Sequence, residues 1–206
     1  MIPHIGEIDK FFMEIKVVDN KRFSEITLGD EVVKEVHRRL YKNHLREILR
    51  ASSKKELSDL LLKIDIKLAR GLVYKWLSLK GYMRSELTKK LKTYKIDSEA
   101  IKAILDECEE RGYINDKKEG RLFIERQKKR GFGPQMIAFK LSQKSPDLKE
   151  MVQVSDDEQS VAIQNWIEKK TRSADLHDIK VKQRLYRFLR GKGFDDPLIR
   201  KHLFVD

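Results

Sequence analysis

Ala69-Arg70-Gly71-Leu72-Val73-Tyr74-Lys75-Trp76-Leu77 is the stretch on which the reading of the whole chain turns. Its apolar residues Ala69, Leu72, Val73, Trp76 and Leu77 recur at the spacing of one face of an α-helix, so a single stripe is available for burial. Gly81 follows as a terminator. Leu87, Leu91 and Tyr94 form a second stripe. Asp97-Ser98-Glu99 supplies a cap and an acidic first turn to a third helix, whose stripe is Ile101, Ile104, Leu105 and Cys108 and whose stop is Gly112. Three short amphipathic helices in about fifty residues describe a three-helix bundle.

The same pattern recurs further along. Moved by 50 positions, Val73 falls on Phe123, Gly81 on Gly131, Leu87 on Ile137, Leu91 on Leu141, Asp97 on Asp147 and Ile101 on Met151. Moved by 98, Leu87 falls on Leu185, Leu91 on Leu189, Ile96 on Phe194, Asp97 on Asp195, Ile101 on Ile199 and Leu105 on Leu203. Trp166 matches Trp76 at a shift of 90, which implies a longer loop over 171–178 in the last unit. Agreement of apolar, Gly and Asp positions at two independent shifts is the signature of a tandem repeat. The expected fold is mainly α: three tandem three-helix bundle repeats over 63–116, 117–159 and 160–206. Each has its own small core, so the array can flex. Gly133-Pro134 predicts a helix start with Gly as N-cap and Pro at the first helical position. The opening helix of the last unit is expected from Val161 to about Lys170.

Upstream, residues 1–62 read differently. Met13, Ile15 and Val17 alternate with Glu14 and Lys16, a strand period. Asp19-Asn20-Lys21-Arg22 has turn chemistry, and Phe23 to Leu28 returns. The expectation is a β-hairpin with a helical extension. A lone hairpin is marginal in water, so the segment from Val32 to Leu62 or the next helix must cover it.

Composition narrows the function classes. The 206 residues carry 38% charged side chains, well above the usual ~25%, which favours several small modules over one large core. No apolar run is long enough to span a bilayer, and the N-terminus lacks the basic and apolar regions of a secretory signal, so a cytoplasmic protein is expected. One cysteine, Cys108, excludes an internal disulfide and a multi-cysteine zinc site, and it lies on a core stripe. The five histidines show no metal-ligand spacing, so no cofactor or metal is expected. No nucleophile elbow, nucleotide-binding lysine loop or paired-acid motif is present, so no catalytic residue is assigned. Gly131-Phe132-Gly133 lacks the preceding strand of a phosphate loop and reads as a helix–helix turn.

The live candidates are basic. Net charge is +12, and it rises along the chain from +1 over 1–62 to +3, +3 and then +5 over 160–206. Arg126, Lys128, Lys129 and Arg130 crowd one helix end. Lys169, Lys170 and Arg172 crowd another. Lys180, Lys182, Arg184, Arg187, Arg190 and Lys192 stud a third helix, on which Arg184, Arg187 and Arg190 are spaced to share a face opposite Leu185 and Leu189. These thirteen residues are the expected surface for an anionic partner, protein or nucleic acid. Trp76 and Trp166, equivalent in the repeat, are expected in cores.

The chain resembles a known family at four places in order. Leu79-Lys80-Gly81-Tyr82-Met83-Arg84-Ser85-Glu86-Leu87-Thr88-Lys89-Lys90-Leu91 is similar to the first-repeat signature of RecX-type regulatory proteins, and Gly112-Tyr113-Ile114-Asn115-Asp116 to the opening of their second repeat. Lys129-Arg130-Gly131-Phe132-Gly133-Pro134 resembles their basic Gly-x-Gly-Pro joint. Arg184-Leu185-Tyr186-Arg187-Phe188-Leu189-Arg190-Gly191-Lys192-Gly193-Phe194 resembles their third-repeat element. Two departures stand out: Met83 replaces a small hydroxyl residue that would cap a helix, and Glu119-Gly120 replaces an aromatic-Ala pair. The resemblance implies a non-enzymatic, monomeric modulator that binds the RecA recombinase filament on DNA. Such a protein restrains ATP hydrolysis, strand exchange and coprotease activity in DNA repair, recombination and the SOS response. Two other readings remain open: a DNA-binding protein of helix-turn-helix-like modules, with 182–192 as its recognition helix, and a repeat adaptor with no DNA in its complex.

Overall fold

The computed structural model describes residues 14–171 and 176–204. The chain is mainly helical, with a small antiparallel sheet at the front, and it divides into two compact units. Among the described residues the first holds 14–80 and 87–113, and the second holds 81–86 and 114–204.

In the first unit, strands β1 (Ile15–Asp19), β2 (Phe23–Leu28) and β3 (Glu31–His37) run antiparallel in that order. The expected hairpin thus gains a third strand. β3 escapes pattern reading because its polar and apolar residues, Glu31-Val32-Val33-Lys34-Glu35-Val36-His37, do not alternate by burial: only its last two residues are buried. Met13 and the residues before it lie outside the described ones. Two single-turn helices, α1 (Arg38–Tyr41) and α2 (Leu45–Ile48), are joined by a 3-10 turn and lead to α3 (Lys54–Leu77). Ser53 caps α3, its hydroxyl accepting from the Glu56 N–H at 3.1 Å, while the Glu56 carboxylate takes the backbone N–H of Ser52 at 2.7 Å. The cover the hairpin required is real: Ile26, Val36, Tyr41 and Ile48 pack with Leu57, Leu61 and Ile64 of α3.

A polar group is sealed into this unit. Asp65 is fully buried and accepts from Lys34 of β3, from the Tyr41 hydroxyl, and at 2.8 Å from the backbone N–H of Asp97. A buried carboxylate survives only when its lone pairs are filled. Here the filling ties the sheet, α1, α3 and the residue that opens the last helix of the unit together. α4 (Arg84–Lys92) and α5 (Ser98–Glu110) complete a three-helix arrangement with α3. The Asp97 side chain caps α5 as its position suggested, accepting from the Glu99 N–H at 2.7 Å. Ala69, Val73, Trp76, Leu87, Leu91, Ile101, Ile104, Leu105 and Cys108 are buried, the predicted stripes. Burial raises the Cys108 thiol above its usual pKa. α3 begins at Lys54 and so crosses the expected division at 62/63.

The second unit contains α6 (Asp116–Lys129), α7 (Pro134–Ser142), a 3-10 helix (Pro146–Met151), α8 (Asp156–Thr171), α9 (Ile179–Lys192) and α10 (Asp196–Phe204). The third helix of the middle repeat is therefore a 3-10 element. α8 starts five residues before the expected Val161, and its first turn holds Asp156, Asp157 and Glu158, the acidic start a helix dipole favours. Gly133 is the N-cap of α7 with Pro134 first in the helix, as the sequence predicts. One core gathers Phe123, Ile124, Ile137, Leu141 and Leu148, another Ile163, Ile167, Leu185, Leu189, Phe194, Ile199 and Leu203.

Both departures from the family pattern are explained by this unit. Met83 is 2% exposed and completes the first of these cores, although it lies between helices of the preceding repeat. The capping it cannot supply comes from afar: the Asp116 carboxylate accepts from the Arg84 N–H at 2.7 Å. The Glu86 carboxylate accepts from the Met83 N–H at 3.2 Å. Gly120 is buried under Leu148, whose Cδ1 would stand 3.1 Å from any added Cβ, and the Glu119 carboxylate lies directly against Gly81.

Candidate functional site

Two glycine turns of the second unit interlock. The N–H of Gly133 donates to the Lys192 carbonyl at 2.9 Å, and the N–H of Gln135 to the Gly193 carbonyl at 3.1 Å. Gly193 closes α9 in the left-handed region at φ 85°. A Cβ on Gly133 would strike the backbone of Gly193, and one on Gly193 would strike the backbone of Met136. Asp195 extends the joint, accepting from Gln135 at 3.1 Å and from the buried Gln159 at 2.8 Å. The expectation of freely flexing modules is overturned here. The second and third repeats have separate cores but share a backbone hydrogen-bonded seam.

That seam positions an aromatic group ringed by lysines. Gly131 sits at φ 70°, and its carbonyl accepts from the Trp166 indole N–H at 2.8 Å. An added Cβ there would come within 2.5 Å of the same nitrogen. Trp166 meets Phe188 of α9 edge to face at 5.1 Å. Phe132, between α6 and α7, completes the set. Lys192 Nζ lies 4.5 Å from the Phe132 ring centre, 4.6 Å from that of Trp166 and 5.4 Å from that of Phe188. Lys140 Nζ lies 3.4 Å from Phe132, Lys169 Nζ 5.2 Å from Trp166, and Lys170 Nζ 4.9 Å from Phe188. Trp166 is half-buried: it packs against the core of the last repeat, as its match with Trp76 predicted, and also borders the lysines.

The electrostatics of this group are unusual for a folded chain. Among the described residues none of the four lysines has a carboxylate within ion-pair distance, whereas other cations of the same unit do. Ring faces take the place of counter-ions, each contact stabilising by roughly 0.5–2 kcal/mol. They do not cancel the mutual repulsion. Burial first, then the charges of Lys140, Lys170 and Lys169, depress the Lys192 ammonium below its usual pKa. Beside the group opens a cleft of about 740 Å³ whose walls include Phe132, Val161, Asn165, Trp166, Lys169 and Phe194, with Lys129, Arg130, Glu125, Asp157 and Glu158 also lining it.

The other sequence-predicted residues scatter. Lys128 is neutralised by Glu158 at 3.0 Å and Glu125 at 3.6 Å. Contact with Ser155 and then Lys128 holds the Glu158 carboxyl below its ordinary range. Arg126, Lys129 and Arg130 are exposed. Arg184, Arg187 and Arg190, expected to share a face, are all exposed on α9, opposite the buried Leu185 and Leu189. Arg190 is drawn to Asp196 at 3.6 Å, in a network in which Asp196 also accepts from the Tyr186 hydroxyl and from Arg200 at 2.7 Å. Tyr186 and Arg200 lower the Asp196 carboxyl accordingly. Arg184 and Arg187 remain exposed. Lys182 leans toward Phe204 at 5.9 Å, and Lys180 is exposed at the start of α9. Arg172 lies outside the described residues. Sequence reasoning misses Lys140, since a single cation between Phe139 and Leu141 carries no cluster signal. Among the described residues no group of three or more His, Cys, Asp or Glu side chains is placed to hold a metal ion. No helix among them is long and apolar enough to cross a membrane.

Known proteins share this architecture. Residues 156–203 match the family description of the RecX third three-helix domain. Regulatory protein RecX of Acinetobacter baylyi is 31% identical over 139 residues, which make up 64% of this chain and 84% of that protein. Regulatory protein RecX of Legionella pneumophila is 32% identical over 129 residues, 61% of this chain and 85% of that one. The crystal structure of RecX from Lactobacillus salivarius superposes with a TM-score of 0.60 at 22% identity, covering 66% of this chain and 93% of that structure. A second crystal structure of a regulatory protein RecX gives 0.60 at 18% identity over 90% of this chain and 95% of that structure. At such identities the superpositions speak for the fold, and the sequence relatives, matched over most of their length, speak for descent. The chain belongs to the RecX family of regulatory proteins.

Proposed function

We propose that this protein acts without catalysis in the cytoplasm, as a monomer that binds the RecA recombinase filament on DNA and restrains its ATPase, strand-exchange and coprotease activities. The reading rests on the family resemblance. The observation that carries it is the cationic surface of the second unit: Lys140, Lys169, Lys170 and Lys192 lack carboxylate partners among the described residues, and Arg184 and Arg187 are exposed. Cations left unpaired on a rigid support attract a polyanionic or acidic partner at a salt-dependent rate. Binding alone regulates nothing. The protein shifts the filament only by its preference for one filament state over another.

The test is DNA-dependent ATP hydrolysis by the recombinase with and without the full chain. Saturating protein lowers the rate, and Arg184→Glu with Arg187→Glu weakens the effect about tenfold in the concentration required. Arg190 is left unchanged because it also pairs with Asp196 at 3.6 Å. Unchanged hydrolysis, filament length and strand exchange at saturation refute the reading. A footprint at one defined DNA sequence without recombinase would instead establish the helix-turn-helix alternative, against which stands the packing of both Phe188 and Leu189 on α9.

A further inference from the structure

We infer that the lysine-ringed aromatic group at the seam of the second and third repeats is a single-stranded nucleic-acid subsite, in which Lys140, Lys169, Lys170 and Lys192 take the phosphates and a base enters the adjoining cleft against Trp166 and Phe132. This rests on the filament reading and deepens it by naming the component that the second unit grips.

Each part of the site answers one part of such a ligand. Two ammoniums that share a ring lie no further apart than their combined distances to its centre. All three partners of Lys192 therefore fall within about a Debye length of it, ~10 Å at 0.1 M salt. At that separation the charges act together on an anion. Burial first, and then the neighbouring ammoniums, depress Lys192, and a phosphate placed among the four relieves the repulsive part. An ammonium binds phosphate as a point charge and needs no fork geometry.

The rings decide between anions. The face of an aromatic ring is negative and gains nothing from a carboxylate, so an acidic peptide would use the lysines and waste the rings. A nucleobase has a π-face of its own, and stacking on an aromatic side chain contributes about 1–3 kcal/mol per base. The cleft beside Trp166 is large enough for a base and is walled by apolar Val161, Phe132 and Phe194 with a polar Asn165, so it suits an uncharged base, while Glu125, Asp157 and Glu158, which also line it, turn phosphates away toward the lysines. In a duplex the bases are already stacked on one another, so the ring favours a single strand. Rigidity completes the case. Phe132 and Lys192 are adjacent to the two interlocked glycine turns, so the site is held before any ligand arrives.

The experiment uses the full chain carrying Trp76→Phe, which leaves Trp166 as the sole tryptophan. A labelled oligothymidylate is titrated beside an abasic strand of equal length, a duplex of equal length and polyglutamate. The oligothymidylate is expected to quench Trp166 emission, and the abasic strand to bind about tenfold more weakly without quenching it. Lys169→Gln with Lys170→Gln, both exposed, is expected to keep the helical circular dichroism. It should also flatten the slope of log affinity against log salt, by about 0.7 for each phosphate no longer neutralised. Equal binding of the abasic strand, tighter binding of the duplex, or equal displacement by polyglutamate overturns the subsite. The recombinase ATPase assay on the same proteins separates the two readings. Oligonucleotide binding absent with the ATPase effect intact removes the subsite alone, and binding present with no ATPase effect removes the filament reading alone.

Discussion

Gly133 and Gly191 both stand close to the seam of the second unit, yet they tolerate opposite treatment. A methyl group on Gly133 meets the backbone of Gly193 and Phe194, which cannot swing aside as a side chain would. Gly133→Ala is therefore expected to cost about 1–3 kcal/mol, read as a lowered urea midpoint of Trp166 emission. Gly191 lies near the end of α9 with nothing within 4 Å of an added Cβ. Gly191→Ala should raise the same midpoint by up to about 1 kcal/mol through helix preference alone. His37 adds a pH prediction in the first unit. Burial, then the nearby Arg22 charge, lowers its imidazole below the usual 6.5, and Arg22 Nε donates to its Nε2 at 3.4 Å. The unfolded chain therefore takes up this proton first. The contribution of His37 to stability is complete above pH 6.5 and declines as pH falls toward the folded-state value. Urea midpoints of Trp76 emission at about pH 7.5 and 5.5 should differ in that direction, and His37→Gln should remove this component of the difference.

At the scale of elements, α4 has its first turn in one unit and the rest in the other. Met83, just before it, fills the core of the middle repeat. Met83→Ala is expected to cost about 2–5 kcal/mol there, shifting the Trp166 transition while the Trp76 transition holds. No sequence pattern announces this. Met83 precedes the stripe of Leu87 and Leu91, and only a tertiary neighbour explains it. The helices themselves are legible because each carries local signals. Asp97 and the Gly133-Pro134 pair are caps a reader can find, and the stripes need no partner to be seen. β3 is not legible, because a strand buried only at its end lacks the period that identifies strands. The cation cluster is half legible. Lys169, Lys170 and Lys192 stand out as basic runs, but Lys140 and the three rings converge only through the glycine seam. Lys128 and Arg190 look equally free in sequence and are paired in space by Glu158 and Asp196.

For the molecule as a whole, the net charge of +12 is unevenly distributed, and its rise toward the end of the chain coincides with the unit that carries the lysine-ringed aromatic group. The proposed filament binding should therefore weaken steeply with salt, and charge reversal of exposed lysines on α3, such as Lys63→Glu, should change it far less than Arg184→Glu with Arg187→Glu. Binding measured against increasing sodium chloride decides the point. An equal loss for both variants would make the effect one of total charge and remove the special role of the third repeat.

The division of α4 has a consequence for biosynthesis. A ribosome delivers Met83 well before the residues that will enclose it, the last buried one of which is Leu148. At roughly 5–20 residues per second, that thioether waits some seconds in the emerging polypeptide without its cavity. The front of the molecule closes around Asp65 only when Asp97 has appeared, so the two halves mature in an overlapping order, each holding a piece that the other half's stretch of messenger encodes.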